Sequence, residues 1–169
     1  MNNFTMLKGL LKSTPKQDIR YYLNAVYLDE HNAVTTDGHI LIVVKHNLTV
    51  RAPVLLCRND LEQKLKMFNK KSELIIDADE GVCTINGYSI ELVDGRYPDY
   101  QRVVNQYKEK EDCSLMGIDL GILSKASTAI KFICDTKTFT AAKITNCGMD
   151  RGIKIECDAI SAFVSACRL

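Results

Sequence analysis

Tryptophan is missing from the 169 residues, only three are proline, and aromatic residues make up 7%. No apolar run approaches the roughly 18 residues that a membrane span needs, and the opening Met1-Asn2-Asn3-Phe4 has no secretory signature. A cytoplasmic chain with no membrane partner is the expectation. The seven cysteines (57, 83, 113, 134, 147, 157 and 167) include no C-x-x-C pair. Their odd number and scattered spacing speak against a disulfide framework and against a thiolate zinc site. No G-x-S-x-G, phosphate-binding loop or H-E-x-x-H stretch occurs, so neither catalysis nor a cofactor or metal is expected. Excess charge of one sign is absent as well, the net charge being +1. What is present is ordinary globular material, 46% hydrophobic and 25% charged. A chain of this size removes roughly 70% of its unfolded surface from water without staples.

Three stretches read as helices, each behind a start signal. Thr5 can cap Met6 to Ser13, whose Met6, Leu7, Leu10 and Leu11 form one apolar stripe. Asn59 precedes Asp60 to Asn69, with Glu62 three residues on in capping-box position and Leu61, Leu65 and Phe68 on one face. Asp119 precedes Leu120 to Lys131, with Leu123, Ala126 and Ile130 facing inward. After each helix the period drops to 2. The first strand set is Tyr21–Asp29, Ala33–Thr36 and His39–His46. The second is Glu73–Ala78, Val82–Ile85 and Tyr88–Val93, with Asn86-Gly87 as a two-residue hairpin signal. The third is Thr138–Thr145, Gly152–Asp158 and Ile160–Arg168. Short strands are also expected before each helix, at Asn3–Phe4, Pro53–Cys57 and Ser114–Ile118.

The expected caps at Thr5, Asn59 and Asp119 recur at spacings of 54 and 60 residues. Each unit is strand–helix–three strands, and units of this kind pair or stack to cover their apolar faces. Three similar segments without a duplication would give the same pattern. The polar stretch from Val104 to Asp112 reads as a linker. It separates two units in residues 1–103 from a third in 113–169. Charge follows the units: the helical segments hold ten basic against three acidic residues, the remainder twelve against eighteen. Lysines on any one helix serve to solvate its outer face. Three cationic helices without interleaved aromatics also suit contact with phosphate backbone and no base readout.

Two constellations bear weighing as chemistry. His39 beside Asp37 is either a catalytic pair or a hairpin in which Asp37-Gly38 turns the chain, and the hairpin is preferred. Asp77, Asp79 and Glu80 suit either a cation or a plain turn, and they lack the liganding spacing of a calcium loop. Cys157 and Cys167 fall on strands, as small core residues.

Three motifs, in order, carry a resemblance: Asp18-Ile19-Arg20-Tyr21-Tyr22-Leu23-Asn24, Thr36-Asp37-Gly38-His39, and Leu92-Val93-Asp94-Gly95-Arg96-Tyr97-Pro98-Asp99-Tyr100. They resemble the middle domain of the bacterial sliding clamp, the β subunit of DNA polymerase III. The closing Phe163-Val164-Ser165-Ala166-Cys167-Arg168-Leu169 is similar to that family's C-terminus. The resemblance implies an α+β, clamp-like fold with antiparallel sheets outside and helices inside. It also implies a processivity factor that tethers a DNA polymerase or another replication protein to duplex DNA. The alternative is a non-ring interaction module that keeps the clamp's peptide pocket.

Carried over by position, the DNA-facing residues are Lys8, Lys12, Lys16, Gln17, Lys64, Lys66, Lys70, Lys71 and Lys125. The partner-peptide pocket falls on Leu23, Thr36, Gly38, His39, Ile40, Leu41, Pro98, Arg102 and Val103, with Ser165, Cys167, Arg168 and Leu169 of the tail. Ile40 stands where the family usually has Arg, and Ser165 and Cys167 replace methionines, which implies a different motif preference. Units one and two are expected to close on each other as one domain. Unit three then has no cover for its helix in its own chain, so an even homo-oligomer is expected, a dimer or a tetrameric ring.

Overall fold

The first helix begins one turn earlier than its apolar stripe. In the computed structural model, which describes residues 2–110, 116–135 and 140–167, α1 spans Asn3–Ser13. Its cap is Asn2, whose Oδ1 accepts the N–H groups of Phe4 (2.8 Å) and Thr5 (3.3 Å). An Asn side chain satisfies these orphan donors as well as a Thr does, so the strand expected at Asn3–Phe4 is helix. The Thr5 hydroxyl instead reaches the Asn2 carbonyl at 2.9 Å.

A 3-10 turn at Tyr21–Leu23 leads into β1 (Ala25–Leu28), β2 (Asn32–Thr36) and β3 (Ile40–Lys45), followed by β4 (Thr49–Val50) and β5 (Val54–Cys57). α2 (Arg58–Lys64) runs on into a 3-10 turn at Leu65–Met67. The capping box expected at Asn59 does not form. Asp60 accepts the Glu91 N–H at 2.9 Å, and Glu62 pairs with Arg58 at 2.9 Å. Then come β6 (Ile76–Asp79), β7 (Val82–Ile85) and β8 (Tyr88–Ser89), the last two joined through Asn86 and Gly87, both at positive φ as the hairpin signal requires. α3 (Tyr100–Gln106) occupies the start of the stretch expected to be linker. α4 (Leu120–Ile133) is capped by Asp119 as expected, its carboxylate accepting the Ile122 N–H at 2.9 Å. β9 (Lys143–Asn146), β10 (Gly152–Cys157) and β11 (Ile160–Ser165) follow.

Seven strands form one sheet in the order β5-β1-β2-β3-β11-β10-β9, and β4-β6-β7-β8 form a second. β11 pairs antiparallel with β3, Ile160 opposite Val44 through to Val164 opposite Ile40. Unit three is thereby zipped to unit one inside a single chain. Its helix is covered there too: Ala126, Ala129, Ile130 and Ile133 of α4 pack in the cluster that holds Leu7, Leu10 and Leu11 of α1. At roughly 1.5–3 kcal/mol for each large aliphatic side chain buried, such a face seeks the nearest complementary one. This corrects the expectation that unit three lacks cover in its own chain.

Alternation along the strands gives the large sheet two buried faces. Val26, Leu28, Ala33, Ile40, Ile42, Val44 and Val164 point to the helices, whereas Ala25, Val34, Leu41, Leu55 and Phe163 point away. Tyr97 and Tyr100 cover the second group. The Tyr97 ring stacks on Tyr27 with centroids 4.7 Å apart.

Candidate functional site

A cleft of about 200 Å³ opens on the face turned away from α1 and α4. Four separate stretches build it. The 3-10 turn contributes Tyr22 and Leu23, and the β2–β3 hairpin contributes Thr36, Gly38, His39, Ile40 and Leu41. Pro98, Tyr100, Val103 and Tyr107 form the α3 wall, and β11 closes the cleft with Phe163 and Ser165. The floor is apolar because the period-2 alternation that sends Ile40 and Ile42 to the helices sends Leu41 the other way.

The rim is polar and tightly held. Arg20 grips Asp18 with two nitrogens (Nε 3.0 Å, Nη2 2.8 Å) and donates to the Asp37 carbonyl at 3.0 Å. Gly38, at φ +91°, leaves room for that guanidinium, since a Cβ there would sit 3.0 Å from Arg20 Nη1. Hydrogen bonds from the Arg20 side chain and backbone hold the Asp18 carboxyl down at about 2. Burial pushes the Asp37 pKa up, but the His39 N–H, the Lys125 ammonium and the Ile40 N–H outweigh it, and the net shift is downward. Asp37 thus serves two backbone N–H groups and Lys125 (3.0 Å), with no bond to the His39 ring among the described residues. The hairpin reading of Asp37–His39 holds.

Aromatic residues fix the α3 wall. Tyr100 donates to Asp29 and accepts from Asn32 at 3.0 Å. The Tyr107 ring meets Phe163 edge-on at 5.1 Å, with its hydroxyl 3.5 Å from Ser165 Oγ.

Nine of the thirteen pocket positions named from sequence line this cleft: Leu23, Thr36, Gly38, His39, Ile40, Leu41, Pro98, Val103 and Ser165. Arg102 is exposed on α3 and does not line it. Cys167 also lies outside, its N–H donating to the Gly117 carbonyl at 2.8 Å. Arg168 and Leu169 lie outside the described residues. Sequence reasoning missed Arg20, Tyr22, Tyr100, Tyr107 and Phe163. The i, i+3, i+4, i+7 spacing of Tyr100, Val103, Val104 and Tyr107 behind the cap Asp99 was the available signal for a short helix in an otherwise polar stretch.

The lysines divide into two groups. On α1 every residue from Phe4 to Ser13 is buried except Lys8 and Lys12, so its outward stripe is cationic. Lys8 lies over the Phe4 ring at 5.5 Å and Lys12 over Phe132 at 5.7 Å. Lys16, Gln17, Lys66 and Lys71 are exposed and Lys64 is half-buried. Two others are engaged, Lys70 with Asp135 and Lys125 with Asp37. Arg51 pairs with Asp77 and Asp79 at 3.5 and 3.3 Å, so the carboxylates weighed as a cation loop are held by an arginine.

No family model matches the chain. It is 30% identical over 115 residues to the beta sliding clamp of Proteus mirabilis, covering 58% of this chain and 31% of that protein. To the beta sliding clamp of Salmonella typhimurium it is 31% identical over 121 residues, covering 62% and 33%. The chain thus spans about a third of the length of these relatives. The DNA polymerase sliding clamp of Pseudomonas aeruginosa superposes with a TM-score of 0.72 at 14% identity, over 98% of this chain and 64% of that one. The Helicobacter pylori beta clamp bound to a DNA ligase peptide superposes at 0.66 and 16% identity, over 98% and 63%. Sequence and fold agree: the chain is a homologue of the bacterial beta sliding clamp, with the α+β sliding-clamp fold.

Proposed function

We propose that the chain works by binding and not by catalysis, as a clamp-type processivity factor in DNA replication. In this reading the cleft holds a short linear motif of a DNA polymerase or another replication protein. The lysine stripe of α1, with Lys16, Lys66 and Lys71, rests on the phosphate backbone of duplex DNA.

One observation carries the reading: four distant stretches of chain converge on a single apolar cleft at pocket positions that the clamp resemblance implies. A floor of Leu23, Leu41 and Phe163 inside a polar rim suits a peptide with apolar side chains following a polar one. A labelled peptide with glutamine followed by apolar residues is expected to bind with micromolar or weaker affinity, about −8 kcal/mol. Val103, 37% exposed on the α3 wall, can be charged without touching the core. Val103→Glu is expected to cost at least tenfold in affinity at an unchanged melting temperature. An unaltered titration would remove the cleft from the reading.

A second reading has its own support. Because unit three already closes on unit one, a single chain stands as a folded module, and a pocket protein without a ring needs nothing more. Against it, β9 is an edge strand among the described residues with Ile144 62% exposed, a surface that suits a second copy. Light scattering separates the two: an even homo-oligomer favours the clamp, and a monodisperse monomer favours the module.

A further inference from the structure

Cys134 and Cys157 lie on different elements of unit three, yet their sulfurs are 3.4 Å apart. Cys134 caps the C-terminus of α4, its N–H donating to the Ile130 carbonyl at 2.8 Å. Cys157 ends β10. Asp158 follows at φ 51°, turning the chain into β11, and one of its carboxylate oxygens lies within 4.8 Å of both sulfurs. Asp158 makes no ion pair among the described residues. Three donor atoms of acidic type thus converge from two elements that sequence spacing does not connect.

The distances discriminate between two uses of a thiol pair. Two thiolates on one tetrahedral zinc, each about 2.3 Å from it, stand about 3.8 Å apart, so these sulfurs need to open by only a few tenths of an ångström. A disulfide needs them to close to about 2.05 Å. The carboxylate also has a role in the first case and none in the second.

We propose that Cys134, Cys157 and Asp158 form a binding site for a thiophilic divalent cation of the zinc type, with three protein ligands and a fourth position open to water. Cys134 is half-buried and Asp158 exposed, so the ion enters from the surface without opening the core. Each thiol releases its proton to solvent as its sulfur bonds the metal, two protons per ion, and no oxidant or reductant is involved. The bound ion clips the end of α4 to the β10–β11 hairpin, the hairpin that joins unit three to unit one.

The test uses the full chain, reduced and stripped of metal, with cadmium as the probe. One equivalent is expected to give a thiolate-to-cadmium charge-transfer band and to raise the melting temperature. Cys134→Ser and Cys157→Ser should each abolish the band, and Asp158→Asn should weaken it several-fold. If a serine variant does not fold, the wild type still decides: zinc should shield Cys134 and Cys157 from alkylation, read by mass spectrometry, while the other five cysteines keep their rates. Identical titrations of the wild type and the double serine variant would overturn the proposal. So would alkylation of the pair at full rate in excess zinc, or a Cys134–Cys157 disulfide in the reduced preparation.

Discussion

Gly9 sits where α1 and α4 touch. A Cβ there would fall 2.3 Å from Ile133 Cγ1 and 3.1 Å from the Ala129 carbonyl oxygen. Ile133 is 2% exposed and has nowhere to go. Gly9→Ala would gain about 1 kcal/mol of helix propensity, but overpacking a tight core costs about 1–3 kcal/mol. The expected result is a lower midpoint in urea, not a higher one. Asp18 offers a test by pH. Its folded pKa of about 2 lies below the ordinary 3.8. A depressed carboxyl contributes stability that is fully present above the unfolded value and is lost as pH falls through the folded one. The melting-temperature gap between wild type and Asp18→Asn should therefore shrink as pH drops from 3.8 towards 2. A constant gap would mean that the Arg20 grip adds nothing to the fold. Residues of this kind were only half legible. Asp18 and Arg20 stood inside a motif, but nothing local showed that the guanidinium would cross to Asp37 or that Gly9 would meet Ile133, 124 positions away in sequence.

The elements read more easily than their neighbours did. Asp119 as a cap, Asn86-Gly87 as a turn and the alternation of β10 are short-range signals, and all three hold. Thr5 gave way to Asn2 because Asn2, an equally good cap three positions earlier, takes the N–H groups of Phe4 and of Thr5 itself and starts the helix sooner. The pairing of β3 with β11 and of α1 with α4 had no local signature, since any apolar edge or stripe of the same period would have served. A fragment ending at Lys110 tests that pairing. It would leave the β3 edge open and strip α4 from Leu7 and Leu10, both fully buried. Such a fragment should melt without a cooperative transition and bind a hydrophobic dye. A sharp two-state melt, followed by circular dichroism, would instead make units one and two a domain of their own.

For the whole molecule, the cationic stripe makes its prediction through salt. Log affinity for duplex DNA should fall linearly with log salt, at about 0.9 per phosphate neutralised. Replacing Lys12, Lys16, Lys66 and Lys71 by alanine should flatten that slope. Exchanging Lys70 or Lys125, each held by an aspartate, should leave it nearly unchanged. An unchanged slope in the quadruple variant would reduce the stripe to a solvated surface. The seam between units one and three also bears on how the chain is made. β3 ends at Lys45 and β11 begins at Ile160, so more than a hundred residues leave the ribosome before the first half-sheet meets its partner. At about 5–20 residues per second that wait is on the order of ten seconds. Through it the nascent chain displays an open edge and the bare stripe of α1, the surfaces that holdase chaperones seek. On a polysome the β11 of a neighbouring nascent chain fits that edge equally well, and exchange of the third unit between two newborn copies competes with closure within one.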